Sequence, residues 1–136
     1  MPRKAKSLVF DSWAILAYLG DEKSAQEVAD LITNAHENRL PMTMSVINAG
    51  EVWSILSREI SEPKADSALT DLAALGIELI DVDWSITRIA STFKARGKMS
   101  YADCFAAALA KDRKSDLVTG DKEFKQVESE VNIHWL

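Results

Sequence analysis

Residues 8–19 read LVFDSWAILAYL, in which one apolar run passes through Asp-Ser into a second apolar run. The first run, residues 5–10, has the residue types of a short buried strand. Asp11 carries a side chain that commonly caps the first turn of a helix, and the apolar residues after it suit a helix. This stretch therefore predicts a strand, a turn and a helix, in that order.

The same alternation of strand and helix continues along the chain. Further strands are predicted at residues 42–46, 77–82, 116–119 and 131–135. Helices are predicted between them, at residues 21–38, 47–57, 61–76, 83–97 and 100–112. Strands that alternate with helices build a mostly parallel sheet covered on both faces. We therefore predict a single α/β sandwich, in one domain over residues 1–136.

The composition is that of an ordinary globular domain. The chain has 136 residues, of which 47% are hydrophobic and 27% charged, enough to bury a core. Its apolar stretches fall far short of the roughly 18 residues that cross a bilayer, and no signal-peptide pattern is recognisable, so we expect a cytoplasmic protein without membrane contact. One cysteine and two histidines leave no internal disulfide and too few ligands for a Cys/His zinc site.

Three acidic residues are placed where α/β sheets bind their ligands. In open sheets of this class, ligands bind beyond the carboxyl ends of the strands. Asp11 directly follows the first strand, and Asp121 follows the strand at 116–119 after one glycine. Asp103 opens the Ala-rich helix that leads into that same strand. We expect these carboxylates at one edge of the sheet.

Glu51 is a fourth candidate because of its position around the helix at 47–57. At 100° per residue, Glu51 lies about 40° from Ile55, inside the apolar arc, whereas Trp53 lies about 160° from Ile55 on the outer face. Burying a carboxylate costs several kcal/mol unless a cation or hydrogen-bond donors meet it. Glu51 is therefore expected to have a specific partner.

Each acid also has an ordinary structural explanation. The two aspartates that follow strands could act only as helix N-caps, and Asp103 could complete a capping box with Ser100. Glu51 could form an ion pair with Arg58, two turns on. Taken singly, the residues leave both interpretations open. Taken together they favour a site, because one topology brings all four to the same edge.

Four neighbouring carboxylates repel one another, so without a counterion some would keep a proton at neutral pH. Mg²⁺ or Mn²⁺ takes oxygen ligands, keeps several waters and leaves room for phosphate oxygens, an arrangement that hydrolyses phosphodiesters. No histidine lies beside a serine or cysteine at these turns, which favours metal-activated water as the nucleophile. The net charge of −5 argues against a broad basic surface for nucleic acid. It is consistent with an anionic pocket in which the four acids converge within a few ångströms.

Four stretches of this chain resemble, in order and spacing, the motifs of the PIN domain ribonucleases. They are residues 11–19 (DSWAILAYL), 48–52 (NAGEV), 101–110 (YADCFAAALA) and 117–124 (LVTGDKEF). The resemblance spans nearly the whole chain and implies a PIN-like three-layer sandwich with a five-stranded, mostly parallel sheet flanked by helices. It also implies that Asp11, Glu51, Asp103 and Asp121 are the catalytic and metal-binding quartet around Mg²⁺ or Mn²⁺.

Two hydroxyl side chains adjoin these acids. Thr119 matches a hydroxyl position that supports the site in the family, and Ser12 follows the first acid. We predict that both donate hydrogen bonds that orient carboxylates. Trp13 departs from the family pattern, in which the residue after Asp-Ser is usually small.

A PIN domain of this length resembles the toxin of a VapBC-type toxin–antitoxin pair. The resemblance implies an endoribonuclease that leaves 5′-phosphate and 3′-hydroxyl ends on its RNA substrate, a homodimer, and inhibition by a cognate VapB-like antitoxin. The tail of that antitoxin is expected across the helical hairpin of residues 47–76. Trp53, on the outer face of this hairpin, is a candidate contact for the tail, and its alternative role is to pack against the neighbouring helix.

Four other functions are alternatives to this one. An RNA-processing PIN nuclease without an antitoxin and a non-catalytic RNA- or protein-binding PIN scaffold share the fold. A haloacid-dehalogenase-like phosphatase needs a second aspartate two residues after the first, where this chain has Trp13. A phospho-receiver domain would use Asp81 or Asp83 and would leave Glu51 and Asp103 unexplained.

Overall fold

The computed structural model describes residues 4–136. The strands are β1 (Leu8–Phe10), β2 (Met42–Ser45), β3 (Ile77–Ile80), β4 (Asp116–Thr119) and β5 (Asn132–Trp135). The helices are α1 (Ser12–Leu19), α2 (Ala25–Glu37), α3 (Val46–Glu59), α4 (Glu62–Ala74), α5 (Trp84–Arg96) and α6 (Tyr101–Arg113), followed by a short 3₁₀ helix (Lys122–Val127). The domain predicted over residues 1–136 includes three residues that lie outside the described part of the chain.

All five strands pair in parallel in one sheet of order β3-β2-β1-β4-β5. The central strand β1 pairs with β2 through Leu8 and Met42, and with β4 through Val9 and Leu117. The predicted fold class, a five-stranded mostly parallel sheet between helices, is confirmed. Because the three central strands run in the same direction, their carboxyl ends lie side by side.

The helices begin where short polar side chains cap them. Each of five N-cap side chains accepts a hydrogen bond from a backbone N–H in the first turn, and these residues are Asp11, Ser45, Ser61, Asp83 and Ser100. Such caps satisfy donors that a helix cannot pair internally. Two of the caps, Asp11 and Ser100, stand at the carboxyl edge of the sheet and so fix where the acidic motifs begin.

The sheet divides the core into two layers. Val9 and Leu117 face one side, where they pack with apolar residues of α5 and α6. Leu8, Phe10 and Val118 face the other side, with apolar residues of the first four helices. Successive side chains along a strand point to opposite faces of the sheet, so neighbouring residues enter different layers. The sheet is therefore covered on both faces, as predicted from the sequence.

Several boundaries differ from the sequence prediction by a few residues: α2 begins at Ala25 rather than at residue 21, and β3 ends at Ile80 rather than at residue 82. The first strand begins at Leu8 rather than Ala5, and residues 122–127, for which no helix was predicted, form the 3₁₀ helix. Short 3₁₀ turns lack the apolar repeat that marks an α-helix. Among residues 4–136, none of the helices combines the length and apolar character needed to cross a membrane.

Candidate functional site

Asp11 is a buried carboxylate at the end of the central strand, with only 1% of its surface exposed. Its Oδ1 accepts a hydrogen bond of 2.8 Å from the backbone N–H of Ala14, which caps α1. Its Oδ2 accepts a hydrogen bond of 2.5 Å from the hydroxyl of Thr119. Both donors are neutral, so Asp11 caps the helix and has no positively charged partner among residues 4–136.

Thr119 joins two of the acids across neighbouring chain segments. Besides donating to Asp11, its hydroxyl oxygen accepts a hydrogen bond of 3.0 Å from the backbone N–H of Asp121. Asp121 in turn caps the 3₁₀ helix, with its Oδ1 accepting from the N–H of Glu123 at 2.9 Å. Thr119 is fully buried, so this bridge holds the end of β4 against the end of β1.

Asp103 lies in the first turn of α6 and is partly buried. Its backbone N–H donates to the hydroxyl oxygen of Ser100 at 3.2 Å, and its carboxylate is also hydrogen-bonded to Ser100. Ser100 therefore caps α6 through the backbone N–H of Asp103, which is one of the two hydrogen bonds of a capping box. A carboxylate in this position is stabilised by the partial positive charge of the helix N-terminus.

Glu51 lies on α3 and is partly buried, in keeping with its expected place near the apolar arc. Its charge acts on Asp103 of α6. Arg58, its alternative partner, forms no ion pair with it anywhere in the described chain. The ion-pair interpretation of Glu51 therefore has no support in the structure.

Electrostatic repulsion links the four acids, which we call the acidic cluster: Asp11, Glu51, Asp103 and Asp121. Burial, with smaller contributions from the charges of Asp103 and Asp121, raises the pKa of Asp11 to about 7, and its hydrogen bonds to Thr119 and Ala14 oppose the rise. Burial also raises the pKa of Asp103 to about 6, with contributions from Asp121, Glu51 and Glu123 and an opposing hydrogen bond from Ser100. Such shifts are typical of carboxylates held together without a counterion.

Glu123 is an acid that the sequence analysis did not single out. It is exposed on the 3₁₀ helix, where its Oε2 accepts a hydrogen bond of 3.0 Å from Gln126, and its charge reaches Asp103. Its position inside the motif-like stretch 117–124 was the sequence feature that could have identified it. Glu123 adds negative charge at the rim of the acidic cluster.

Asn48 is a second residue whose role the sequence analysis missed. It is fully buried on α3, and its Nδ2 donates to the carbonyl oxygen of Ala102 at 3.1 Å, next to Asp103. Ser12 donates its hydroxyl hydrogen to the backbone carbonyl of Asn48 at 3.2 Å. Asn48 therefore ties together the three helices that carry Asp11, Glu51 and Asp103.

The hydrogen bond of Ser12 corrects one expectation. The hydroxyl was predicted to orient a carboxylate, but its partner is the peptide carbonyl of Asn48. Thr119 does donate to a carboxylate, that of Asp11. Ser12 thus holds α1 against α3, and of these two predicted hydroxyls only that of Thr119 contacts an acid.

Comparison with known proteins identifies the family. The sequence profile of the PIN domain matches residues 8–130, which is most of the chain and contains all four members of the acidic cluster. The chain belongs to the PIN domain family. No protein of curated function matches it in sequence.

Several solved structures share the fold of this PIN domain. VapBC2 from Rickettsia felis, bound to a promoter DNA fragment, superposes with a TM-score of 0.76 at 18% identity, over 95% of this chain and 98% of that one. DNA-bound VapBC from Salmonella typhimurium gives a TM-score of 0.73 at 16% identity, over 94% and 96%. VapC20 from Mycobacterium tuberculosis, a sarcin-ricin loop cleaving toxin, gives 0.67 at 17% identity, over 88% and 93%.

The acidic cluster of this PIN domain suits a hard divalent cation in its chemistry. Its side chains offer only carboxylate oxygens, and Asp11 is buried beside two like charges with neutral partners alone. Within residues 4–136, no three acidic, histidine or cysteine side chains already form a ligand set for one ion. The four acids are therefore near enough to act on one another electrostatically. They do not form the metal-ligand set that was expected from the sequence. Mg²⁺ usually keeps several waters and takes one or two carboxylates directly, so it does not require all four acids as ligands.

Trp53 lies on α3 and contacts α4, the second helix of the hairpin. It is partly buried, and its Nε1 donates to Oδ1 of Asp66 on α4 at 2.8 Å. The alternative role weighed for Trp53, a contact with the neighbouring helix, is therefore present in the structure. The part of its indole that stays exposed is still available to a partner.

Proposed function

We propose that this PIN domain is a metal-dependent endoribonuclease and the toxin of a type II toxin–antitoxin pair. The observation that carries the proposal is Asp11, a buried carboxylate with its pKa raised to about 7, bonded only to neutral donors beside other acids. Burying a carboxylate is energetically costly, so a buried one usually has a specific role. Carboxylates with a raised pKa at the edge of a sheet are typical of catalytic sites.

The proposed ligands are the members of the acidic cluster, with Asp11 and Asp103 as the principal carboxylates. Bound Mg²⁺ or Mn²⁺ supplies positive charge for the phosphodiester and lowers the pKa of water, which allows hydrolysis at neutral pH. Thr119 keeps the Asp11 carboxylate in one orientation through its hydrogen bond. Asn48 fixes the start of α6, and with it Asp103, against α3. The expected products carry 5′-phosphate and 3′-hydroxyl ends.

The partners follow from the same comparison and are part of the proposal. The superposed structures include VapBC complexes, and one superposed toxin cleaves the sarcin-ricin loop. We therefore infer an RNA substrate, a cognate VapB-like antitoxin and a homodimer for this chain. The hairpin of α3 and α4, with Trp53 on it, is the proposed seat of the antitoxin tail. Trp53→Ala should weaken co-purification with the antitoxin and leave RNA cleavage by the free toxin unchanged.

The central experiment is RNA cleavage with Mg²⁺, with Mn²⁺ and with a chelator. We expect the wild type to cleave only with a cation, and Asp11→Asn and Asp103→Asn to lose at least about a hundredfold in rate, since each removes a charge from the metal site. Asp112→Asn is the matched control, because Asp112 is an exposed aspartate at the other end of the helix that carries Asp103. Cleavage that needs no metal, or full activity in both site variants, would defeat the proposal.

A second outcome separates the alternatives. Cation-dependent cleavage without a neighbouring antitoxin gene would favour an RNA-processing nuclease. RNA binding without cleavage under any metal condition would favour the non-catalytic scaffold.

A further inference from the structure

Trp13 is a large aromatic side chain at the rim of the acidic cluster. It is the second residue of α1, two positions after Asp11, and 37% of its surface is exposed. A Cβ placed on Gly120 would stand 2.3 Å from Cη2 and 2.4 Å from Cζ3 of its indole. The six-membered ring therefore lies directly on the turn that joins Thr119 to Asp121.

This contact exists because position 120 has no side chain. An indole normally enters a core, but Trp13 belongs to neither core layer of residues 4–136. Its indole N–H also has no hydrogen-bond partner among those residues. The ring rests on a backbone turn beside two acids, with its outer surface in solvent.

We propose that Trp13, through the exposed part of its indole, stacks on a nucleobase next to the scissile phosphate and so positions the strand at the acidic cluster. This inference rests on the proposed function and assigns a positioning residue to it. A base in an A-form duplex has its faces covered by its neighbours, so only an unpaired base can stack on an indole. Stacking on aromatic side chains is a general way to bind single strands and tolerates any base.

The charge of the chain supports a role for stacking. The net charge is −5, and the acids of the site repel phosphate until a cation is present, so attraction to the RNA backbone is weak. An exposed indole supplies affinity that does not depend on positive charge. It also holds the strand in register with the acidic cluster.

Trp84 provides a comparison within the same chain. It is 71% exposed and begins α5, after the edge strand β3, which lies two strands from β1 and three from β4. At a strand spacing of about 4.8 Å, this places the start of α5 roughly 10 Å or more from the end of β1. Trp84 therefore serves as the matched control for removal of an exposed tryptophan.

The test measures binding of a short fluorescent single-stranded RNA to Asp103→Asn protein in Mg²⁺, so that cleavage does not interfere. We expect Trp13→Ala to weaken binding about tenfold or more, Trp13→Phe to restore most of it, and Trp84→Ala to leave it unchanged. Gly120→Ala, which displaces the ring while keeping Trp13, should weaken binding like Trp13→Ala. A fully paired RNA hairpin stem should bind more weakly than the single strand.

Several results would overturn the inference. These are equal affinity in Trp13→Ala and its parent, equal affinity for paired and unpaired RNA, and no RNA binding at all. Loss of antitoxin binding in Trp13→Ala with RNA binding intact would identify Trp13 as a protein contact instead. Cleavage by the wild type is scored separately, so failure of stacking is distinguishable from failure of the nuclease proposal.

Discussion

The hydroxyl of Thr119 donates a hydrogen bond of 2.5 Å to the buried carboxylate of Asp11, 108 residues earlier in the chain. Thr119 is the last residue of β4, and Asp11 directly follows β1, the adjacent parallel strand. The same hydroxyl accepts from the backbone of Asp121. One buried side chain therefore sets the relative position of two acids and lowers the pKa of the more buried one.

Replacing Thr119 by valine should change the pH dependence of cleavage. Loss of the hydrogen bond removes stabilisation of the ionised Asp11, so its pKa rises further above about 7. The activity lost on acidification should then be lost at a higher pH, and the rate near pH 7 should fall roughly tenfold. Thr119→Ser, which keeps the hydroxyl, should restore the wild-type profile. A valine variant with an unchanged pH profile would contradict this role.

The metal-free protein should lose stability as the pH rises from about 4 to 7. Folded Asp11 keeps its proton up to a pKa of about 7, whereas the unfolded chain releases it near 3.8, so the folded state binds more protons in this range. The free energy of unfolding contributed by this group falls as pH rises, by up to about 4 kcal/mol.

Denaturation in urea with a chelator, across this pH range, measures the effect. Because other groups also titrate, the informative quantity is the difference between wild type and Asp11→Asn. The variant should gain in relative stability toward pH 8. A difference that does not change with pH would show that Asp11 is not protonated in the folded state.

Magnesium should stabilise the folded protein more at pH 8 than at pH 5. A ligand that binds only the folded state adds about 2.7 kcal/mol at a hundredfold excess over its Kd. At pH 5, protons on Asp11 and Asp103 compete with the ion, since their pKa values are about 7 and about 6. Thermal melts with and without Mg²⁺ test this. Asp103→Asn should reduce the Tm increase and Asp112→Asn should not, and an equal increase in both variants would argue for binding elsewhere.

Asn48→Ala should destabilise the fold by about 1–3 kcal/mol. The substitution leaves the carbonyl of Ala102 without its donor in a partly buried position, and a polar group that loses its partner away from water is costly. It should also loosen Asp103, so cleavage should fall by more than the loss of folded protein explains. Urea denaturation gives the first quantity, and the rate per folded molecule gives the second. Thr92→Ala, a change on α5 at a partly exposed residue whose hydrogen bond is exposed to solvent, should alter neither.

Local features of the sequence predicted the fold well because they act over a few residues. Asp11 and Ser100 cap helices through contacts three residues away, and such contacts leave a clear pattern in the sequence. The parallel topology follows from the alternation of strands and helices. This topology alone predicts that the acids lie at the carboxyl edge of the sheet, and no side-chain contact needs to be known.

The sequence did not predict contacts between residues that are far apart in the chain. Asn48 was visible as a polar residue about 20° from Ile55 on the apolar face of its helix, but its partner is 54 residues away. Ser12 follows Asp11 directly, yet one residue of helix turns it by about 100° toward α3. The packing of Trp13 on Gly120 likewise depends on two segments that meet only in the fold.

The burial of an ionisable carboxylate at the end of the central strand has a practical meaning for protein engineering. Laboratory evolution that screens this chain only for heat tolerance, in buffers that contain chelators, will enrich uncharged residues at position 11. Those survivors will be robust and inert. Screens that include magnesium favour the aspartate at position 11 instead. The choice of buffer therefore determines whether a stabilised variant keeps its activity.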